Sequence, residues 1–212
     1  MAGLATLAVA TACPAGELAI SVLDRSGQGV ADVVVAVAPL GQPAPLPAKA
    51  AATAIMDQHN LAFVPRILAV AVGTSVDFPN NDAVSHQVYS FSPAKKFQLP
   101  LYKGARHPPV TFDREGLVVL GCNIHDGMVG YVYVTAAPFF GTTDPAGTLR
   151  LAQLPAGEYK VTVWSPLIAD LPSSLTHTVH VNAQELAVSR VQLSRALRAR
   201  PEPRPRRGDW EY

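Results

Sequence analysis

The chain is short of charge, of aromatic rings and above all of thiols. Charged residues make up 16% and aromatic residues 7% of its 212 positions, and cysteine occurs only at Cys13 and Cys122. With Cys122 set in a ligand-like cluster, no pair remains for a structural disulfide, whatever the compartment. Seventeen Lys and Arg against sixteen Asp and Glu leave a net charge of +1, which gives no reason to expect a nucleic-acid partner. No run of about twenty apolar residues follows the N-terminal segment, so nothing after it is expected to cross a membrane. Helix-type periodicity is scarce as well. Nineteen prolines and fifteen glycines instead break a 49% hydrophobic chain into short runs, which predicts an all-β protein of one or two domains.

What is present is concentrated in Gly121-Cys122-Asn123-Ile124-His125-Asp126-Gly127-Met128. Leu117 to Leu120 before it and Val129 to Val134 after it read as strands, so a strand-to-strand loop carries a thiol, an imidazole and a thioether at equal spacing. Cys122, His125 and Met128 are expected to ligate one metal. His86 supplies a further ligand from a neighbouring strand edge. A soft thiolate, two imidazoles and a weak axial thioether suit copper in both oxidation states, whereas methionine adds nothing to a zinc site. A cysteine hydrolase on Cys122 and His125 lacks an orienting Asn or Asp and an oxyanion motif, and leaves Met128 without a role.

From about residue 52 to 135 the chain resembles a cupredoxin. The ligand loop, with two residues between Cys122 and His125 and two between His125 and Met128, is similar to that of amicyanin. Phe78-Pro79-Asn80, the run from His86 to Ser92 and Gly121 to Asp126 resemble the plastocyanin-like proteins called methylamine utilisation proteins. Gln87 departs from the Asn that follows the first histidine in several small blue copper proteins, and Asp126 places an acid beside the solvent-facing His125. The resemblance implies a Greek-key β-sandwich holding one copper ion.

Flanking segments suggest a second module. Leu18 to Val22 and Val33 to Val37 read as strands around the turn Asp24 to Gly29. After the copper segment come a turn at Asp144 and Gly147, then Leu154-Pro155, Gly157-Glu158-Tyr159 and the strand Lys160 to Trp164. Together these resemble the carboxypeptidase regulatory-like, transthyretin-type sandwich. The predicted organisation is a cupredoxin domain over 50–137 inserted into a discontinuous sandwich of 16–40 plus 138–195. The alternative is a cupredoxin with an N-terminal strand pair and a separate C-terminal domain.

Residues 1–15 read as an export signal, with Ala8-Val9-Ala10 and Ala10-Thr11-Ala12 fitting a small-residue cleavage site. Cys13 lacks the Leu three residues upstream that lipidation would use. The stretch 93–109 reads as a long loop whose Lys95, Lys96, Lys103, Arg106 and His107 suit an anionic partner, although a solvated surface loop is the plainer reading. His59, His177 and His180 read as ordinary surface or turn residues. The tail, 196–212, mixes arginine with proline, is expected to be disordered and offers weak tethering to an anionic surface.

Four side chains leave copper no open position, which argues for one-electron transfer rather than turnover. The expected protein is a periplasmic, monomeric blue copper carrier, not an enzyme, serving an unknown redox partner. Its alternative is a copper carrier or sensor that exchanges the metal. His125 is the expected port, Ile124 and Asp126 belong to the docking surface, and the backbone around Asn80 and Asn81 is expected to donate hydrogen bonds near the thiolate.

Overall fold

The computed structural model describes residues 15–41, 53–104 and 107–200. The expectations for residues 1–14 (Cys13 among them), Arg106 and the tail beyond 200 lie outside the described residues. Seventeen strands run through the described chain: β1 Ala15–Leu23, β2 Val34–Pro39, β3 Ala54–Ile55, β4 Asp57–His59, β5 Ala62–Val64, β6 Ile67–Ala71, β7 Thr74–Asp77, β8 Val88–Ser92 and β9 Lys95–Gln98. They continue as β10 Val110–Phe112, β11 Gly116–Cys122, β12 Val129–Thr135, β13 Phe139–Thr142, β14 Thr148–Pro155, β15 Gly157–Trp164, β16 Thr176–Val181 and β17 Leu186–Gln192. One short 3-10 turn, Pro172–Leu175, precedes β16.

The copper-segment strands form a five-stranded sheet, β6-β12-β11-β8-β9, facing a smaller sheet, β10-β7-β3. The long pairing of β11 with β12 is antiparallel, while β6 joins β12 and β3 joins β7 in parallel, giving a Greek-key sandwich rather than a meander. Alternation along β11 and β12 sends Val118, Leu120, Cys122, Val132 and Val134 inward to meet Met56, Phe63, Val76, Phe78, Val88 and Phe112. Period-two patterning sets the register, and it sets the thiol of Cys122 on the core side of its strand.

The outer strands assemble a second core. β1 is the central strand of β14-β1-β17, and β2 lies inside β13-β2-β15-β16. Leu18, Ile20 and Val22 point inward from β1, and Val33, Val35 and Val37 meet them together with Tyr159, Val161 and Val163. Two matching turns clamp this sandwich. The Asp24 carboxylate accepts the Ser26 and Gln28 N–H groups at 2.8 and 2.9 Å, and the Asp144 carboxylate accepts those of Ala146 and Thr148 at 2.9 and 2.8 Å. Gly29 packs against the Ala146 carbonyl so closely that a Cβ would collide with it, and Gly147 sits at φ +75° where a side chain would be strained. The two cores meet where Trp164 lies against Tyr131 and Tyr133 of β12, with ring centroids 5.7 and 5.5 Å apart.

Two expectations change. The stretch predicted as one loop over 93–109 contains β9, an edge strand held by β8 from Tyr89↔Gln98 to Ser92↔Lys95. Residues 196–200 lie along the outer sandwich, where Arg198 N–H donates to the Leu167 carbonyl at 2.7 Å and Arg200 pairs with Asp32 at 3.4 Å.

Candidate metal centre

Cys122 is the last residue of β11, pinned on one side by β12 and on the other by its pairing with Val88 of β8. The six-residue loop that follows must return at once to β12. It does so through Gly127 at φ +84°, and two backbone bonds close it: Met128 N–H to the His125 carbonyl and Cys122 N–H to the Met128 carbonyl, both 3.3 Å. His86 comes from the segment before β8, where its backbone exchanges two 3.0 Å hydrogen bonds with Tyr102.

These elements bring three donors together. His86 Nδ1 lies 3.0 Å from His125 Nδ1, and Cys122 Sγ lies 3.7 and 3.5 Å from the two nitrogens. Metal–nitrogen bonds of about 2.0 Å and a metal–sulfur bond of about 2.3 Å, spread trigonally, would separate the nitrogens by roughly 3.5 Å and each nitrogen from sulfur by roughly 3.8 Å. The observed sulfur–nitrogen separations match, and the nitrogens need only part slightly. Two imidazole nitrogens, neither held by a carboxylate, aimed at each other beside a thiol are the donor set that copper prefers. Met128 is 1% exposed and packs in the same core as Cys122.

His86 is fully buried, and its outer nitrogen, Nε2, meets Asp82 Oδ2 at 2.9 Å. Asp82 also accepts the Leu61 N–H at 2.7 Å and the Ala83 N–H at 2.7 Å. Burial opposes its charge, but these bonds and His86 outweigh it and hold the carboxyl below its ordinary range. For His86, burial disfavours the imidazolium, yet its bonds to Cys122 and Asp82 prevail and raise its pKa above the ordinary value. Burial also opposes the Cys122 thiolate, but His86 and the backbone N–H groups of Gln87, Ile124 and His125 favour it, leaving the thiol below its usual 9.0. Burial, with the charge of His86 second, lowers His125.

The surrounding shell differs from the sequence expectation. The backbone N–H groups of Gln87, Ile124 and His125 are those that favour the thiolate, while the Asn80 and Asn81 side chains bond elsewhere. Asn80 instead braces the His86 loop: its side chain donates to the Val84 and Tyr102 carbonyls at 3.1 and 2.8 Å and accepts the Asp82 N–H at 3.0 Å. Asn81 bonds Asp57 at the surface. Ile124 is half-buried against the core rather than open to solvent, and Asp126 is exposed. Val84 and Leu101, flanking His86 and Tyr102 in sequence, are exposed apolar residues, at 40% and 51%. Beneath them Gln58 donates to the Pro79 carbonyl at 2.9 Å, and buried Tyr102 donates to the Phe78 carbonyl at 2.6 Å, its pKa pushed up to about 12 by burial. Asp82 escaped the sequence reading, although an acid four residues before a ligand histidine in one tight loop is a usable signal.

No protein-family model and no curated protein matches the chain. Among solved structures, a purple cupredoxin from Nitrosopumilus maritimus is 29% identical, with a TM-score of 0.35 over 40% of this chain and 100% of that one. The reduced state of an amicyanin mutant is 23% identical, with a TM-score of 0.36 over 47% of this chain and 99% of that one. A copper-containing nitrite reductase from Thermus scotoductus is 24% identical, with a TM-score of 0.36 over 54% of this chain and 28% of the reductase. The chain itself brings His86, Cys122 and His125 together, with Met128 in the same core as Cys122.

Proposed function

We propose that this protein is a blue (type 1) copper carrier of single electrons, with His86, Cys122 and His125 as the strong ligands and Met128 as the weak axial one. The observation that carries the reading is the convergence of His86, Cys122 and His125, whose donor atoms all lie within 4.8 Å of one another. Bound copper supplies the one-electron couple between Cu(I) and Cu(II). The chain's own residues do the rest. The β11–β12 frame fixes Cys122, and Asp82 and Asn80 fix the ring and loop of His86, so the ligands are held in one geometry for both oxidation states. His125 is half-buried and offers its edge as the port, with Val84 and Leu101 nearby as the apolar rim.

With four side chains around the metal, the protein is a carrier and not an enzyme. The reading extends to export to the periplasm, a monomeric state, an unidentified redox partner and weak surface tethering through the basic tail. The two cores are two folding units, the cupredoxin over 50–137 and a transthyretin-like sandwich of 16–40 plus 138–195, a division supported by their separate side-chain clusters.

The test is the optical and electron paramagnetic spectrum of the protein loaded with Cu(II). An intense visible thiolate-to-copper band is expected, and Cys122→Ser should abolish it while the fold survives. A colourless protein that binds one copper tightly through other ligands contradicts the proposal.

A further inference from the structure

Two buried side-chain atoms among the described residues have no hydrogen-bond partner, Oε1 of Gln58 and Nε2 of His107. Both residues touch one side chain, Tyr102: Gln58 Nε2 donates to its hydroxyl, and the His107 ring meets its ring in a T, with centroids 4.5 Å apart. The polar mismatch of the described core is thus gathered around a single tyrosine. Gln58 is fully buried on β4, and a buried acceptor without a donor costs stability. Its amide cannot turn over to escape that cost. Nε2 faces the Pro79 and Phe78 carbonyls at 2.9 and 3.4 Å, where an oxygen would meet two others. A polar group kept in an apolar core under these conditions calls for a reason other than stability.

The reason lies in what Tyr102 holds. Its main chain exchanges two 3.0 Å hydrogen bonds with His86, and its carbonyl also accepts Asn80 Nδ2 at 2.8 Å. Its buried ring reaches the other way, where the hydroxyl donates to the Phe78 carbonyl at 2.6 Å and accepts from Gln58 Nε2. Tyr102 is therefore a strut with a ligand histidine at one end and the Phe78–Pro79 segment at the other. A hydroxyl tied only through its own proton can pivot about that bond, and the second bond from Gln58 stops the pivot. Gln58 is itself fixed by its main chain, whose N–H donates to the Pro79 carbonyl at 3.2 Å and whose carbonyl accepts the Asn81 N–H at 3.1 Å.

Removing the amide would leave every neighbouring group satisfied. The Pro79 carbonyl keeps the Gln58 main-chain N–H, the Phe78 carbonyl keeps the Tyr102 hydroxyl, and that hydroxyl keeps its acceptor. Leucine at position 58 would delete the orphaned oxygen and strand no partner, which is the case in which losing a buried polar group is neutral or stabilising. Only the strut would lose a contact.

We propose that Gln58 is a positioning residue of the metal centre, holding Tyr102 and through it the main chain of His86, at the expense of the stability of the metal-free fold. The proposal rests on the copper-carrier reading and deepens it. His86 has two anchors, Asp82 on its ring and the Gln58–Tyr102 strut on its backbone. Stability and metal binding therefore pull in opposite directions at position 58.

Gln58→Leu and Tyr102→Phe are compared with the parent, each as the full chain. In the metal-free protein the denaturation midpoint of Gln58→Leu should equal or exceed that of the parent. Amide exchange at His86 and Tyr102, read by nuclear magnetic resonance, should quicken about tenfold, while Val132 and Val134 in β12 stay as protected as before. Copper affinity from chelator competition should fall about tenfold, the low end of the range for groups that orient a metal-bound histidine. Tyr102→Phe deletes one oxygen and should give the same losses of affinity and of protection at His86. The double variant should be no worse than either single one, because both groups act along one path. The proposal is overturned if Gln58→Leu fails to fold, or lowers the midpoint and speeds all these amides alike, because the amide would then be an ordinary part of the core. It is also overturned if either variant leaves copper affinity and the His86 amide as in the parent, or if the two losses add. A parent that shows no thiolate band with Cu(II) defeats the copper-carrier reading itself, a result seen before any variant is compared.

Discussion

Nε2 of His86 and Oδ2 of Asp82 stand 2.9 Å apart inside one five-residue stretch, and the same carboxylate oxygen accepts the Leu61 N–H. The bond fixes which nitrogen of His86 turns to the cluster and keeps a negative charge behind the ring. Asp82→Asn keeps the shape and removes the charge. Copper affinity should fall by about 10- to 100-fold, the range typical of partners that orient a metal-bound histidine. The reduction potential should rise, because the lost negative charge favoured Cu(II) over Cu(I). A chelator-competition titration and a potentiometric titration measure the two effects, and an unchanged affinity with a lowered potential would refute the role given to Asp82.

Acid should release copper beginning at His86. A ligand must be deprotonated to bind, so affinity falls as pH drops through each ligand's pKa in the metal-free protein. The pKa of His86 is raised from 6.5 and that of His125 lowered, so the first loss sets in above 6.5 and belongs to His86. The sign for the metal-free fold is opposite. A raised His86 pKa stabilises the fold fully below the unfolded value near 6.5, and that contribution disappears as pH climbs through the folded value. Asp82→Asn removes one cause of the rise, so the pH at which its weaker affinity begins to fall off should move lower. Binding isotherms across pH 5 to 8 for parent and variant decide it, and a shift to higher pH is the adverse result.

Ile20 is fully buried at the centre of β14-β1-β17, far in sequence from the copper ligands. Ile20→Ala should cost about 2 to 5 kcal/mol of the outer sandwich's stability, as buried large-to-small changes do. The thiolate band should persist through the resulting low-denaturant transition. Val132→Ala, in the copper core, should instead carry the band down with it. Denaturation followed by tryptophan emission and by the visible band separates the two. A single coincident transition in both variants would mean that the halves fold as one unit.

The clustering of Cys122 and His125 was legible because both lie at one turn between strands that alternate cleanly, and the partner His86 because its residue type completes a chemically unusual donor set. The strands read at Leu117 to Leu120 and Val129 to Val134 were legible, lying within Gly116–Cys122 and Val129–Thr135, because they are short apolar runs flanking a turn. The β4–β5 hairpin was not. Asp57, Gln58 and His59 look like a polar turn, and only the structure shows Gln58 fully buried and bonded to the Pro79 carbonyl. β9 was hidden for a similar reason: Lys95, Lys96 and Gln98 are polar enough for a loop, yet an edge strand with one solvated side tolerates them. Asp82 was missed although its spacing from His86 signalled it; its bond to the Leu61 N–H is made across loops and had no sequence signal.

The port at the histidine end predicts a specific weakness in self-exchange. Electron exchange between the Cu(I) and Cu(II) forms of this chain requires two copies to meet over the ends where His125 is least covered. Val84, 40% exposed and two residues before His86, lies at that end and packs into no core, so Val84→Lys changes the surface without changing the site. Each encounter then brings two added positive charges together in a small apolar contact, and each must shed water. The self-exchange rate from nuclear magnetic line-broadening should drop by about tenfold or more at low ionic strength, and most of the loss should return near 0.1 M salt, where charges beyond about 10 Å are screened. The visible band should not move. An unchanged rate would mean that like copies exchange electrons through another face. A loss accompanied by a shifted band would mean that the loop of His86 had been disturbed.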